Sequence, residues 1–144
     1  MANAALREVR ARAFKDVSVC VLDASGRVIV SKTMVGCPTL PAELAHAKAS
    51  LCVGMHASSR ALRDKYLPEK QAQLLAMTTI GAAAGKPLAA FPGGVLCRDA
   101  ASKCVVGAIG ISGAAADEDE HCALAGAHAV GLATEPAESA LVKA

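Results

Sequence analysis

The stretch from Phe91 to Glu120, FPGGVLCRDAASKCVVGAIGISGAAADEDE, writes out a hairpin, a glycine-punctuated buried strand and an acid-rich helix start in one run. Within it, Val105-Val-Gly-Ala-Ile-Gly-Ile-Ser-Gly113 alternates β-branched residues with residues too small to fill space. Gly107 and Gly110 forfeit side-chain packing, which a strand tolerates when a neighbouring backbone, helix or flat ligand approaches closely. Something must therefore lie against the glycine side. Asp117 to Glu120 then place negative charge on the first turn of a helix, where backbone N–H groups are unpaired and the dipole is positive.

Outward from that run the chain alternates helical and extended patterns. Ala4 to Lys15 has good helix formers and no breaker, and Val17 to Leu22 with Arg27 to Thr33 reads as a hairpin turned at Asp23-Ala-Ser-Gly26. From Glu43 to Tyr66 the pattern is helical, with Leu44, Leu51 and Met55 marking one face and Lys48 on that same face. Glu69 to Met77 predicts a short helix or ordered loop, and Thr78 to Gly85 a strand leading into the sheet. Pro87 to Phe91, Val95 to Asp99 and Lys103 to Ser112 are the remaining strand candidates. Asp117 to Ala133 predicts an alanine-rich helix, stopped by Glu135-Pro136.

A chain of 144 residues, 53% hydrophobic and 19% charged, predicts one compact domain spanning residues 1–144. Its only rings are Phe14, Tyr66 and Phe91, so the core must be built from Ala, Val, Leu, Ile and Met. The mean hydropathy of +0.39 predicts apolar surface hidden between subunits, hence a homo-oligomer, a dimer or larger. A net charge of +2 without a basic stripe or interleaved aromatics argues against nucleic acid. No apolar run approaches the roughly 20 residues that cross a bilayer, and no secretory h-region opens the chain, so the expectation is a cytoplasmic protein away from membranes. Six cysteines without any C-x-x-C pair read as buried free thiols, with a Cys97–Cys104 pairing across the hairpin as the alternative. Neither the G-x-S-x-G elbow nor the G-x-G-x-x-G dinucleotide fingerprint occurs.

Three blocks carry a family resemblance: Val17-Ser-Val-Cys-Val-Leu-Asp-Ala-Ser-Gly26, Ala45-His-Ala-Lys-Ala49, and the Gly93-Gly94 turn followed by V-G-A-I-G-I-S-G and the acidic helix start. In order and approximate spacing the chain resembles the GlcG/HbpS/PduO C-terminal family of haem-binding proteins from Val17 to Leu132. The resemblance implies an α/β (α+β) domain of profilin-like kind, with a five-stranded antiparallel sheet flanked by helices. It also implies a homo-oligomer and binding of haem or a related tetrapyrrole, with haem degradation or iron handling as the associated activity.

The candidate site follows from single residues. A cation on the stripe of Leu44, Leu51 and Met55 must snorkel, pair with a carboxylate such as Asp23, or receive a ligand's carboxylate or phosphate. For Lys48 the resemblance points to a haem propionate. Gly93 and Gly94 read as a turn needing positive φ, and by resemblance as bare backbone lining the cofactor pocket. Four histidines are candidate ligands. His46 lies on the helix face away from Leu44 and Met55, and His56 follows Cys52 by four residues. His121 and His128 are separated by about 10 Å of helix rise, too far to share one ion. Asp117 and His121, at i and i+4, form either a metal pair completed by another subunit or a capping pair. His128, among alanines after Gly126, has room for a flat ring and is the expected haem axial ligand, with His121 and Asp117 as further iron candidates. Two other readings stay open: a non-catalytic oligomeric scaffold or sensor, and an enzyme or binder acting on a small hydroxy acid with Lys48 as anion clamp.

Overall fold

The computed structural model describes residues 1–143. Its elements are α1 (Ala2–Ala11), β1 (Ser18–Asp23), β2 (Val28–Thr33), α2 (Leu40–Met55), α3 (Ser59–Tyr66), α4 (Gln71–Ala83), β3 (Gly94–Arg98), β4 (Val105–Ser112), α5 (Ala116–His128) and β5 (Ala133–Glu135), followed by a 3-10 turn at Ala140–Lys143. All strand pairs are antiparallel, in the order β2-β1-β4-β3-β5. The α+β class with a five-stranded antiparallel sheet flanked by helices is the architecture the sequence predicted.

Alternation along the strands assigns the two faces. Val17, Val19, Val21, Val95, Ile109 and Ile111 meet α1 and α5 through Ala5, Val9, Ala123 and Ala127. The other face, Cys20, Leu22, Leu96 and Ala108, meets α2 through Ala45, Ala49 and Cys52. A Cβ added to Gly110 would lie 2.0 Å from the Ala45 carbonyl oxygen and 2.9 Å from the Ala49 amide nitrogen. The neighbour expected against the glycine side is thus α2. This contact corrects the expected helix stripe in part: the sheet-facing residues are the small Ala45, Ala49 and Cys52, Leu51 is fully buried but packs on Leu62 and Tyr66, and Leu44 is half-buried and Met55 40% exposed. Leucines have no room where a helix rests on strand backbone.

Several boundaries also differ from expectation. The helix predicted from Glu43 to Tyr66 is broken at His56, which takes a left-handed conformation, and Ser58 restarts it by accepting the Ala61 N–H. Thr78 to Gly85 belongs mostly to α4 rather than to a strand. Pro87 to Phe91 forms no strand, because the Ala89 N–H is spent on the Ala47 carbonyl and the segment runs along α2. The fifth strand comes from where α5 was expected to continue: α5 stops at His128, Gly131 turns the chain at φ +75°, and Ala133 to Glu135 pair with β3. The first helix ends at Ala11, short of Lys15. All six cysteines are free thiols, and Cys97 stands opposite Gly107 rather than Cys104. Among the described residues no helix is long and apolar enough to cross a membrane.

Gly110→Ala should force α2 off the sheet and lower the unfolding free energy by about 3 kcal/mol or more. Gly54→Ala, on the same helix with nothing within 4 Å of the added carbon, should instead stabilise by up to about 1 kcal/mol. Urea denaturation of both variants checks the contrast, and equal effects would remove close backbone approach as the constraint.

Candidate functional site

Lys48 lies at the centre of the molecule with its side chain fully buried. Its Nζ donates to the Ile111 carbonyl oxygen at 2.8 Å and to the Asp119 carboxylate at 3.0 Å, and stands 4.3 Å from the centroid of the Phe91 ring. The other Asp119 oxygen accepts the Ala114 N–H at 3.1 Å. Gly93, at φ +126°, leaves the space that the lysine uses: a Cβ there would lie 2.6 Å from both Nζ and the Ile111 oxygen. Gly94 donates its N–H to Ser59 Oγ at 2.8 Å, and that hydroxyl donates back to the Gly94 carbonyl at 3.2 Å. Lys48, Gly93, Gly94 and α5 do meet, as the sequence suggested, but the space between them is filled by Lys48 itself. This corrects the clamp reading for a propionate and for a hydroxy acid alike, because the ammonium is already partnered inside the protein. The partner is not Asp23, which bonds Arg27 at 3.0 Å. Gly93 and Gly94 are likewise buried backbone rather than pocket lining.

Burial lowers the Lys48 pKa and pushes Asp119 up to about 6, and in each case the partner's charge opposes the shift. Removal of either partner strands a buried charge.

The acidic run divides its labour. Asp117 and the fully buried Glu120 both receive Arg60 of α3, Glu120 through Arg60 Nε at 2.9 Å. Asp117 is thereby drawn to α3, while His121 turns towards α1 and the C-terminal segment: its Nδ1 meets Ser139 Oγ and its Nε2 meets Glu8 Oε1, each at 2.9 Å. The expected Asp117–His121 metal pair is not brought together, and both nitrogens of His121 are committed. His128 is exposed, with Nε2 bonded to Thr134 Oγ1 at 2.8 Å. It shares a groove of about 440 Å³ with Glu8, His121, Leu124 and Ser139. Among the described residues no three metal-binding side chains converge.

A different hollow lies on the outer side of α2. Two adjoining depressions, of about 320 and 340 Å³, share Ser50, Gly54 and Lys86. The first holds the half-buried His46, and the second is walled by Met55, Met77, Ile80 and Leu88. Among the described residues none hydrogen-bonds or ion-pairs with the side chain of His46 or Lys86. Their placement has a simple cause. His46 precedes Lys48 by two residues, about 200° around the helix, so burying the lysine turns the imidazole outward. Sequence spacing set His46 on the opposite face and allowed a short helix over Glu69 to Met77, but held no sign that α4 runs on to Ala83 and builds the other wall.

Lys48→Met should destabilise the fold by about 3–5 kcal/mol at pH 7. Without its cation, Asp119 is raised beyond about 6 while the unfolded carboxyl stays near 3.8, so the variant loses stability as pH rises through that window. Its deficit against the parent should be smaller at pH 4.5 than at pH 7. Urea denaturation at both values measures this, and an equal deficit would mean that Asp119 is not the partner.

The sequence profile of the HbpS-like haem-degrading proteins matches residues 1–128. No curated protein matches the chain significantly. Among solved structures, one of a PduOC–haem complex is 24% identical, covering 93% of this chain and 91% of its own, with a TM-score of 0.79. HbpS is 28% identical, with coverage of 90% and 84% and a TM-score of 0.71. A doubly substituted HbpS from Streptomyces reticuli is 27% identical, with coverage of 90% and 81% and the same TM-score of 0.71. With its sheet order, its flanking helices and a profile match over most of its length, the chain belongs to the HbpS-like family of haem-degrading proteins.

Proposed function

We propose that the protein binds haem or a related tetrapyrrole in the groove between α2 and α4. The observation that carries this reading is the combination, on one open surface, of an unengaged imidazole, an unengaged cation and a broad apolar wall. His46 would hold the iron, Lys86 would meet a propionate, and Met55, Met77, Ile80 and Leu88 would pack on the apolar ring. Gly54 and Gly81 leave the walls flat, and hollows of this size and apolar character are typical of small-molecule sites. Family membership and the haem-bound PduOC neighbour support the same ligand class.

The groove around His128 suits the ring less well. Its imidazole is engaged by Thr134, and Glu8 and Glu138 line the place where propionates would lie. Haem breakdown and iron handling follow from this reading as the activity, since a bound haem supplies redox chemistry at its iron and the protein supplies orientation and exclusion of water. A second copy of the chain would cover the exposed Leu75 and Ile80 of α4 and deepen the groove.

Hemin titration followed by Soret absorbance should saturate. His46→Ala should shift the Soret band and weaken binding by at least tenfold, as loss of about 1.4 kcal/mol or more implies. Lys86→Ala should weaken it by about two- to fivefold, the range of an exposed ion pair. Transfer of both effects to His128→Ala would move the site to the other groove. Absence of a Soret change in the parent protein would leave the scaffold or sensor reading.

A further inference from the structure

Glu8 of α1, His121 of α5 and Ser139 beyond β5 come together on the face of the sheet opposite the α2–α4 groove. The His121 ring bridges them, with Nδ1 2.9 Å from Ser139 Oγ and Nε2 2.9 Å from Glu8 Oε1. Donor and acceptor rules fix the protons for a neutral imidazole. An ionised carboxylate only accepts, so Nε2 carries the ring proton and donates to Glu8. Nδ1 is then an acceptor, and the Ser139 hydroxyl must donate to it. Ser139 Oγ keeps a lone pair for the Leu141 N–H at 3.2 Å. Hydrogen bonds from His121 and Arg12 hold the Glu8 carboxyl below its ordinary range, which keeps it an acceptor.

This is the arrangement of a nucleophile, its base and an orienting acid, and such arrangements are recognised by geometry and role rather than by chain order. It also has access. Ser139 is 7% exposed and His121 9%, and both line the groove of about 440 Å³ whose apolar wall is Leu124, Ala125 and Ala137. A network serving only to tie the C-terminal segment to α1 and α5 has no need of that opening. The acids Glu8 and Glu138 at the rim disfavour an anionic substrate.

We propose that Ser139, His121 and Glu8 form a serine nucleophile with its base and orienting acid, and that the adjoining groove takes a small neutral carboxylic ester for hydrolysis by acyl transfer. Ser139 Oγ bonds to the ester carbonyl carbon as its proton passes to His121 Nδ1. The C–O bond to the alcohol then breaks, and the leaving oxygen takes that proton. Water, giving a proton to the same nitrogen, displaces the acyl group as a carboxylic acid, and the proton returns to Ser139. Ester and water are consumed, acid and alcohol are released, and no oxidant or metal takes part.

The test uses the full chain without hemin, so its result is independent of the haem reading. A fluorophosphonate probe should modify Ser139, located by mass spectrometry of tryptic peptides, and p-nitrophenyl acetate turnover should fall to background in Ser139→Ala. His121→Gln should slow labelling roughly 100-fold or more, the usual contribution of a general base. Glu8→Gln should slow it less. Thermal unfolding of each variant separates lost chemistry from lost fold, and if a variant does not fold, the adduct map of the parent protein decides. A folded parent without a Ser139 adduct, or a folded His121→Gln variant labelled at the parent rate, would overturn the proposal and leave the network as a tie for the C-terminal segment.

Discussion

A single buried ion pair holds the layers of this protein in register. Lys48 of α2 reaches through the gap left by Gly93 to the carbonyl of Ile111 on β4 and to Asp119 on α5. Two fully desolvated charges are tolerable only when each finds its partner and its remaining hydrogen bonds. Here the Ala114 N–H, the Ile111 carbonyl and the Phe91 ring complete the set. The pair fixes how α2 is rotated on the sheet, and that rotation decides which of its residues face solvent.

The consequence reaches the surface. With Lys48 turned inward over a sheet face of Gly110, Ala108 and Leu96, the residues on the opposite side of α2 are His46, Ser50 and Gly54, and these line the groove. Helix α4 stands over the same groove with a sequence free of charge from Gln71 to Ala83, yet only Gly81 of it is buried. An uncharged helix that leaves Leu75 and Ile80 exposed suits a surface that receives a flat apolar ligand and a neighbouring subunit.

Arg60 shows a parallel economy. The acid run at the head of α5 looks like a solvated first turn that complements the dipole, and Glu118 does serve there by accepting the Ala115 N–H. Asp119 and Glu120 instead point inward and anchor α2 and α3. Adjacent carboxylates are thus split between capping and long-range pairing, and nothing in local spacing distinguishes the two uses. The same holds for His121, whose partners stand 113 and 18 positions away.

From the residues alone came the hairpin of β1 and β2, the glycine-marked strand β4, the start of α5, and the demand that something press against Gly110, while the α+β class came from the family resemblance those blocks carry. These depend on periodicity and on the absence of a side chain, both of which are local properties. The partners of Lys48, the closing of its cleft, the conversion of Pro87 to Phe91 from strand to edge segment, and the recruitment of Ala133 to Glu135 as the fifth strand depended on which segments meet in space. A buried charge declares that it needs a counter-charge, but only the packed chain determines which of several carboxylates supplies it.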